Sequence, residues 1–568
     1  MIRLPHRLVP AGLALALMLG AAPAPGADPA PGEPVEPTAP EPSDSAAPAP
    51  PAPRDGAVYP QPTLHGDLAL SLEDAIRMGL ENNLNVEVER YTPYIVYEDV
   101  EQAWGAYDPE LFAEWAYRNV QLESSFEITG QTISKQREYA GNGGFRGILP
   151  LLGSSYTLSY ESGRYTTNSV AENRSPKFES RIDFRLTQPL LRDLVWNQPW
   201  FRVKSTQILY GASLDEFRRN VMDVVQRIQN LYWNLIARED QVGVAEKSLE
   251  TARALLGQTQ TQYDVGVVSR VEVVEAEAGV AQRDFDLIRA QNLYRNSQDE
   301  LIDAVLGTGL TADSTLQIQP TDRPDDYIPF DIDAERAVEA AFQNRPEIAL
   351  ADKDIEQREI SLRFADNQRL PRLDGIVSYG NQGLSGRQNQ DAIDLGAIPP
   401  GPLAPGSIPN RRWNRSMNDF LSSDAAEQFV GGAIFSIPIP NTSARHRVTQ
   451  AEFELRRANS QKRRIEQEII LQVRTAIRNL TDSQKGIEAA RRATEAATEQ
   501  LRAERIRLEY GESTPFDVLL RESDLVRAQS EEINAFQLYR SSATGLDRAQ
   551  GTILRNSNVS IDAVRALR

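Results

Sequence analysis

The sequence predicts a mainly α fold with added β-strands, built as two homologous halves. Three observations carry this: a constant offset between distant similar segments, heptad-spaced apolar residues over long stretches, and alternating runs where the heptads stop. Taken together they describe long coiled-coil helical hairpins joined to strands, in duplicate.

The chain of 568 residues opens with Arg3 and Arg7, then a short apolar run from Leu8 to Ala22 followed by small residues. That pattern is a secretory signal peptide, residues 1–27, with cleavage near Ala24 or Ala27. The run is shorter than the ~20 residues a spanning helix needs, which favours export over anchoring. Of the 35 prolines, 14 lie between Pro23 and Pro62, so residues 28–66 cannot sustain regular hydrogen bonding and are expected to be a disordered extension.

From residue 67 the sequence repeats, with the first copy at 67–306, a linker at 307–332, the second copy at 333–553 and a tail at 554–568. Ala75-Ile76, Leu80 and Asn82-Asn83 answer to Ala337-Val338, Phe342 and Asn344-Arg345. Each marks a short amphipathic helix leading into a second helix, Asn85–Trp104 or Glu347–Gln368. Farther on, Ile228, Leu235, Val242, Leu256 and Gly266 match Val473, Leu480, Ile487, Leu501 and Gly511, and Leu293-Tyr294-Arg295 recurs as Leu538-Tyr539-Arg540. In the first copy Leu214, Phe217, Val221, Val224, Ile228, Leu231 and Leu235 step alternately by three and four, which keeps one seam of a supercoiled helix buried. The helix expected from Gln198 to Tyr263 would be ~100 Å long, and its counterpart runs from Ser443 to Leu508.

Both long helices stop at a glycine. The turns read Tyr263-Asp264-Val265-Gly266-Val267-Val268-Ser269 and Leu508-Glu509-Tyr510-Gly511-Glu512-Ser513-Thr514. Glycine accepts the left-handed conformation that ends a helix, Ser269 and Thr514 suit the next N-cap, and Pro515 suits the first helical position. Return helices to about Leu306 and Thr552 complete two antiparallel hairpins.

Between the helical blocks the period becomes two. Leu111–Val120, Ser155–Tyr160 and Lys177–Thr187 read as strands in the first half, Leu373–Tyr379 and Phe429–Ile437 in the second. Pro189 and Pro438 close them at equivalent places, and Gly380–Glu427 reads as a long exposed loop. Two principal strands per half make four per chain. Four strands cannot close a barrel and open edges do not survive in lipid, so closure requires several chains; three copies would supply twelve strands.

Composition narrows the function classes. With 61 Lys and Arg against 80 Asp and Glu the net charge is −19, which argues against nucleic acid as a partner. Cysteine is absent, so disulfides, thiolate metal sites, a cysteine nucleophile and a lipid-anchored cysteine are all excluded. His6, His65 and His446 are not placed as a metal or general-base cluster, and Gly141, Gly143, Gly144 and Gly147 lack phosphate-loop spacing and read as loop or strand-flanking glycines. Nothing calls for a cofactor or a catalytic residue, and an enzyme is not expected. Two readings stay open on these residues: a channel, and a periplasmic coiled-coil scaffold that binds partners without a pore.

The duplicated Ala-rich short helix with its Asn344-Arg345-Pro346-Glu347 turn, the strand exits at Pro189 and Pro438, and the paired hairpin turns resemble the TolC-like outer-membrane efflux protein family over residues 67–553. The resemblance implies a homotrimer with a shared twelve-stranded barrel in outer-membrane lipid and a helical tube across the periplasm. It implies an exit duct for a tripartite efflux or type I secretion system, joined through a periplasmic adaptor protein to an inner-membrane transporter. Residues Gly266, Val267, Val268, Ser269, Gly511, Glu512, Ser513 and Thr514 would form the adaptor-docking tip. Acidic rings just beyond it would narrow the pore; by position they fall on Glu272, Glu275 and Asp517. Leu520 stands opposite Glu275 in the second half, a departure from the family pattern. Glu272 and Asp517 also suit a second role, as first-turn acids favoured by the helix dipole.

Overall fold

The structure, a computed structural model, describes residues 65–123, 133–150, 152–169, 172, 174–307, 315–323, 332–389, 416 and 426–561. The expected signal peptide, nearly all of the Pro-rich segment and the last residues of the tail lie outside the described residues.

Each half begins with a helix pair: α1 (Leu72–Asn82) and α2 (Leu84–Trp104) in the first, α5 (Ala334–Asn344) and α6 (Pro346–Arg369) in the second. Asn83 breaks the first pair by capping α2, its Oδ1 accepting from the Asn85 and Val86 amides at 2.9 and 3.4 Å. Its Nδ2 donates to the Ala304 carbonyl at 2.9 Å, which ties the break to the far end of the hairpin. The long helices form as the heptads predict. Helix α3 (Gln198–Asp264) has 67 residues and α7 (Thr442–Glu509) has 68, each followed by a return helix, α4 (Arg270–Leu306) and α8 (Pro515–Gln550). Phe217, Val221, Ile228 and Leu235 of the predicted seam are buried and Leu214, Val224 and Leu231 partly so. Val225, Tyr232 and Ile236 are buried too, because α3 packs against α1, α2, α4, α6 and α8 and needs a stripe wider than a two-helix seam.

Two short strands were not expected, β1 covering the last two residues of the expected disordered segment and running into the first repeat. Strand β1 (His65–Leu70) pairs in parallel with β6 (Thr315–Pro320), the latter inside the expected linker. Their pairing encloses Leu70 and Ile318 in a core with Ile76, Leu80, Ile228, Tyr232, Leu301 and Val305. The Tyr232 hydroxyl lies 2.9 Å from the Leu70 carbonyl and 2.6 Å from the Asp322 carboxylate, so the buried phenol of this clamp is satisfied.

The main sheet has six strands in the order β2-β3-β4-β5-β7-β8, all antiparallel: β2 (Glu110–Glu123), β3 (Ile133–Ile148), β4 (Ser155–Thr167), β5 (Arg174–Pro189), β7 (Arg372–Gln388) and β8 (Ala426–Ser436). The first half therefore supplies four strands where two were expected. Gly141, Gly143, Gly144 and Gly147 lie inside β3, not in a loop. Glycine weakens the alternating signal without preventing pairing, so the strand was hidden. The Ser155–Tyr160 run is the start of β4. Strand β7 also continues to Gln388, shortening the loop expected from Gly380.

Candidate channel wall and helical tips

Strand alternation sorts the six-stranded sheet into two unlike faces. Register places Leu111, Trp115 and Tyr117 of β2 in line with Tyr139 and Phe145 of β3, then Leu158 and Tyr160 of β4 and Ile182 and Phe184 of β5. The row continues through Val377 and Tyr379 of β7 to Phe429 and Phe435 of β8. Most of these are exposed, Trp115 at 73% and Phe429 at 70%, whereas Phe178 and Ser180 farther along the same face of β5 are buried, Ser180 lying 2.9 Å from Ser416. A contiguous exposed apolar band of this extent marks a membrane or protein contact. Farther from the helices the same face turns polar at Asn119, Arg137 and Arg164.

The opposite face is charged on β2 to β5, while β7 and β8 carry Ile376, Leu384, Val430 and Ile434 there beside Arg372 and Asp374. It carries Glu110, Glu114 and Arg118 on β2, Glu138 and Arg146 on β3, Glu161 on β4, and Lys177, Glu179, Arg181, Asp183 and Arg185 on β5. Arg146 holds Glu110 through two bonds of 2.8 and 2.6 Å, and Lys177 pairs with Glu179 at 2.6 Å. Apolar outside and polar inside is the alternation of a lipid-facing barrel wall around water. No helix among the described residues is long and apolar enough to cross a membrane.

At the other end of the long helices the two turns have one geometry. Gly266 has φ +82° and Gly511 φ +76°. In the first turn the Gly266 amide donates to the Tyr263 carbonyl at 2.8 Å and the Val267 amide to Gln262 at 2.9 Å. In the second the Gly511 amide donates to Leu508 at 3.0 Å and Glu512 to Arg507 at 2.8 Å. Such paired bonds satisfy the last carbonyls of a helix, and they need a residue without Cβ at the left-handed position. Helices α4 and α8 then start with capping boxes. The Glu272 carboxylate accepts from the Ser269 amide at 3.3 Å and hydroxyl at 3.2 Å, and Asp517 accepts from Thr514 at 3.3 and 2.7 Å. The hydroxyl and backbone of Thr514 hold the Asp517 carboxyl below its ordinary range. Both predicted acids thus have a local structural role, each as the third residue of its helix in a capping box. Glu275 lies one turn beyond Glu272 on the same flank of α4. Its counterpart Leu520 is exposed.

The two tips lie together. Ala252 and Leu255 of α3, Leu501 of α7 and Val518 and Leu519 of α8 share one buried cluster, and Arg283 of α4 bonds Ser523 of α8. Around the predicted tip residues the structure adds exposed apolar side chains that the sequence did not single out: Val265, Val271, Tyr510 at 79% and Phe516. Their signal was available, as apolar residues beside a helix-ending glycine, but exposure is a tertiary property.

A third constellation sits where the second helix pair begins. The Arg345 guanidinium grips Glu347 at 2.8 and 3.1 Å and reaches the Gln472 side chain at 2.5 Å. Arg548 of α8 joins Glu347 at 3.1 Å and Asp223 of α3 at 2.6 Å. Burial raises the Glu347 pKa, but the Arg345 hydrogen bond and the charges of Arg345 and Arg548 outweigh it and hold the carboxyl at about 2. Helices α3, α6, α7 and α8 are thereby pinned at one point. Among the described residues no group of His, Cys, Asp and Glu is placed to hold a metal ion.

The family model for the outer membrane efflux protein matches residues 184–308 and 337–552, more than half of the chain. The chain belongs to the outer membrane efflux protein family. Outer membrane protein TolC of Escherichia coli (strain K12) is 22% identical over 415 residues, 72% of this chain and 75% of TolC. The Campylobacter jejuni CmeC outer membrane channel superposes with a TM-score of 0.58 at 14% identity, covering 87% of this chain and 90% of CmeC. The open-state Neisseria gonorrhoeae MtrE outer membrane channel gives 0.57 at 15% identity, over 85% and 89%. At such identities the structural likeness establishes the fold. As an outer membrane efflux protein the chain is an outer-membrane exit duct, its helices on the periplasmic side.

Proposed function

We propose that three copies of the chain close one barrel in the outer membrane and that the paired helical tips receive a periplasmic adaptor, itself joined to an inner-membrane transporter. The observation that carries this is the two-faced sheet. Its apolar face suits lipid, and its two outermost strands, β2 and β8, each keep one edge without a partner strand among the described residues. The scaffold alternative has no use for an apolar band facing outward across six strands. Conduction is passive on this reading and the chain is not an enzyme; energy and cargo choice belong to the transporter. Light scattering of the detergent-extracted protein tests it, with a mass three times that of the mature chain expected and a soluble single chain refuting it.

Residues Gly266 to Ser269 and Gly511 to Thr514 are the adaptor-docking surface in this proposal, with Val265, Val271, Tyr510 and Phe516 as its apolar part. Glu272, Glu275 and Asp517 line the constriction. A carboxylate caps by accepting hydrogen bonds, so the capping boxes of Glu272 and Asp517 are compatible with a role at the constriction. Carboxylates converging from several chains attract cations. The triple variant Glu272→Gln, Glu275→Gln, Asp517→Asn keeps polar caps and is expected to weaken cation block of single-channel current. Unchanged block removes these residues from the constriction.

A further inference from the structure

We infer that the membrane barrel of this protein has eighteen strands, six from each of three copies, with strand β8 of one copy paired to strand β2 of the next. The inference rests on the trimeric reading above and departs from the twelve strands that the family resemblance implies.

The duplication shows where the additional strands entered. In the second half the chain leaves α6, makes β7 and β8, and enters α7. In the first half it leaves α2, makes β2, β3, β4 and β5, and enters α3. Strands β2 and β5 are thus the counterparts of β7 and β8, and the β3–β4 hairpin is an insertion. The first segment matched by the family model begins only at residue 184, within β5.

The inserted hairpin is part of the wall and not an appendage. Among the described residues strand β2 pairs only with β3, and β5 only with β4 and β7, so the hairpin cannot be withdrawn without splitting the sheet. At 16 and 13 residues β3 and β4 each exceed the ~9–11 that cross a bilayer as a tilted strand. Their apolar residues Phe145, Leu158 and Tyr160 fall in the same row as Leu111, Phe184 and Tyr379, and their charged residues Glu138, Arg146 and Glu161 on the opposite face.

The turn of the hairpin is seated on the helix side. Leu149 donates to the Ser154 carbonyl at 2.8 Å, the Ser154 hydroxyl bonds Gln188, and Gln188 Nε2 donates to the Leu152 carbonyl at 3.1 Å. Gly153, at φ +62°, has space for no side chain, since a Cβ would lie 2.5 Å from the Asp193 carbonyl and 2.9 Å from Asn197 Nδ2. A short turn on the periplasmic side, at the end of the sheet where β2, β5, β7 and β8 join the helices, is the arrangement of outer-membrane barrels.

Parity and size complete the case. Five antiparallel steps leave β8 running opposite to β2, so β8 meets a neighbour's β2 in antiparallel fashion and the ring closes without a mismatch. One copy alone, with six strands, falls below the eight of the smallest membrane barrels, whereas three copies reach eighteen, within the known range. Diameter grows roughly linearly with strand number, so the portal is about 1.5-fold wider than a twelve-stranded one, a width at which barrels hold an aqueous channel. The narrow step for cargo then lies in the helical part and not in the membrane.

Cryo-electron microscopy of the detergent-extracted oligomer counts the strands directly, and eighteen in cross-section are expected. Twelve strands in a trimer overturn the inference and leave the exit-duct reading standing. A second measurement uses the absence of cysteine. Phe145→Cys, Leu158→Cys and Val377→Cys carrying a fluorophore are expected to be quenched equally by brominated lipid, and Glu161→Cys by an aqueous quencher. Quenching at Val377 without quenching at Phe145 and Leu158 refutes the inserted wall, while no lipid quenching at any of the three refutes the membrane reading itself.

Discussion

Replacing Glu347 by glutamine removes the charge at the centre of the Arg345–Glu347–Arg548–Asp223 constellation while keeping the side-chain volume. Arg345 is left with the Gln472 side chain, and Arg548 with Asp223. Glu347 has a side-chain exposure of 19%, and its two arginine partners 7% and 12%, so solvent screens the pairing weakly. A carboxyl moved from 4.5 to about 2 stabilises the folded state by about 3 kcal/mol at neutral pH, at 1.36 kcal/mol per unit. Because the folded pKa is depressed, that contribution is complete above the unfolded pKa of 4.5 and fades as pH falls toward 2. Wild-type protein should therefore lose about 2 kcal/mol of this advantage by pH 3, and the Glu347→Gln variant none of it. The assay is urea unfolding of the detergent-solubilised protein at pH 7 and pH 3, followed by far-ultraviolet circular dichroism. A wild-type–variant difference equal at both pH values, or absent at pH 7, would refute the electrostatic account of the constellation.

Three further outcomes are expected. Trp115→Arg places a charge on the face proposed to meet lipid and should cost about 2–4 kcal/mol near mid-membrane, reducing the oligomer recovered in outer membrane, whereas Glu114→Arg on the opposite face should assemble normally; equal recovery would contradict the assignment of the two faces. Gly511→Ala forces a Cβ into the left-handed region at a cost of about 1–2 kcal/mol, so hydrogen exchange around the tip turn should quicken roughly tenfold without a change in barrel assembly; unaltered exchange would show that the turn carries no such constraint. Ile228→Ala opens a cavity in the core of the first half and should lower stability by about 2–5 kcal/mol in the same urea assay, against a smaller loss for the partly exposed Leu231.

How much was legible in the sequence follows from the range of each interaction. The duplication, the long helices and their hairpin turns could be read directly, since heptads, a left-handed glycine and a capping box act within a few residues. Gly266, Gly511, Ser269 and Thr514 stand where the sequence placed them, and the capping roles of Glu272 and Asp517 are local chemistry too. Strand existence was legible only where alternation is strong. The Gly-rich β3 escaped because its neighbours, not its own pattern, make it a strand, and β1 and β6 pair across a sequence separation of about 250 residues that no local signal spans. The constellation of Arg345, Glu347, Gln472, Arg548 and Asp223 joins four helices, so only packing could assemble it. The tertiary structure alone decided that six strands form one sheet, because strand order and register are settled by which faces meet lipid, water and the next strand, and these are properties of the sheet as a whole.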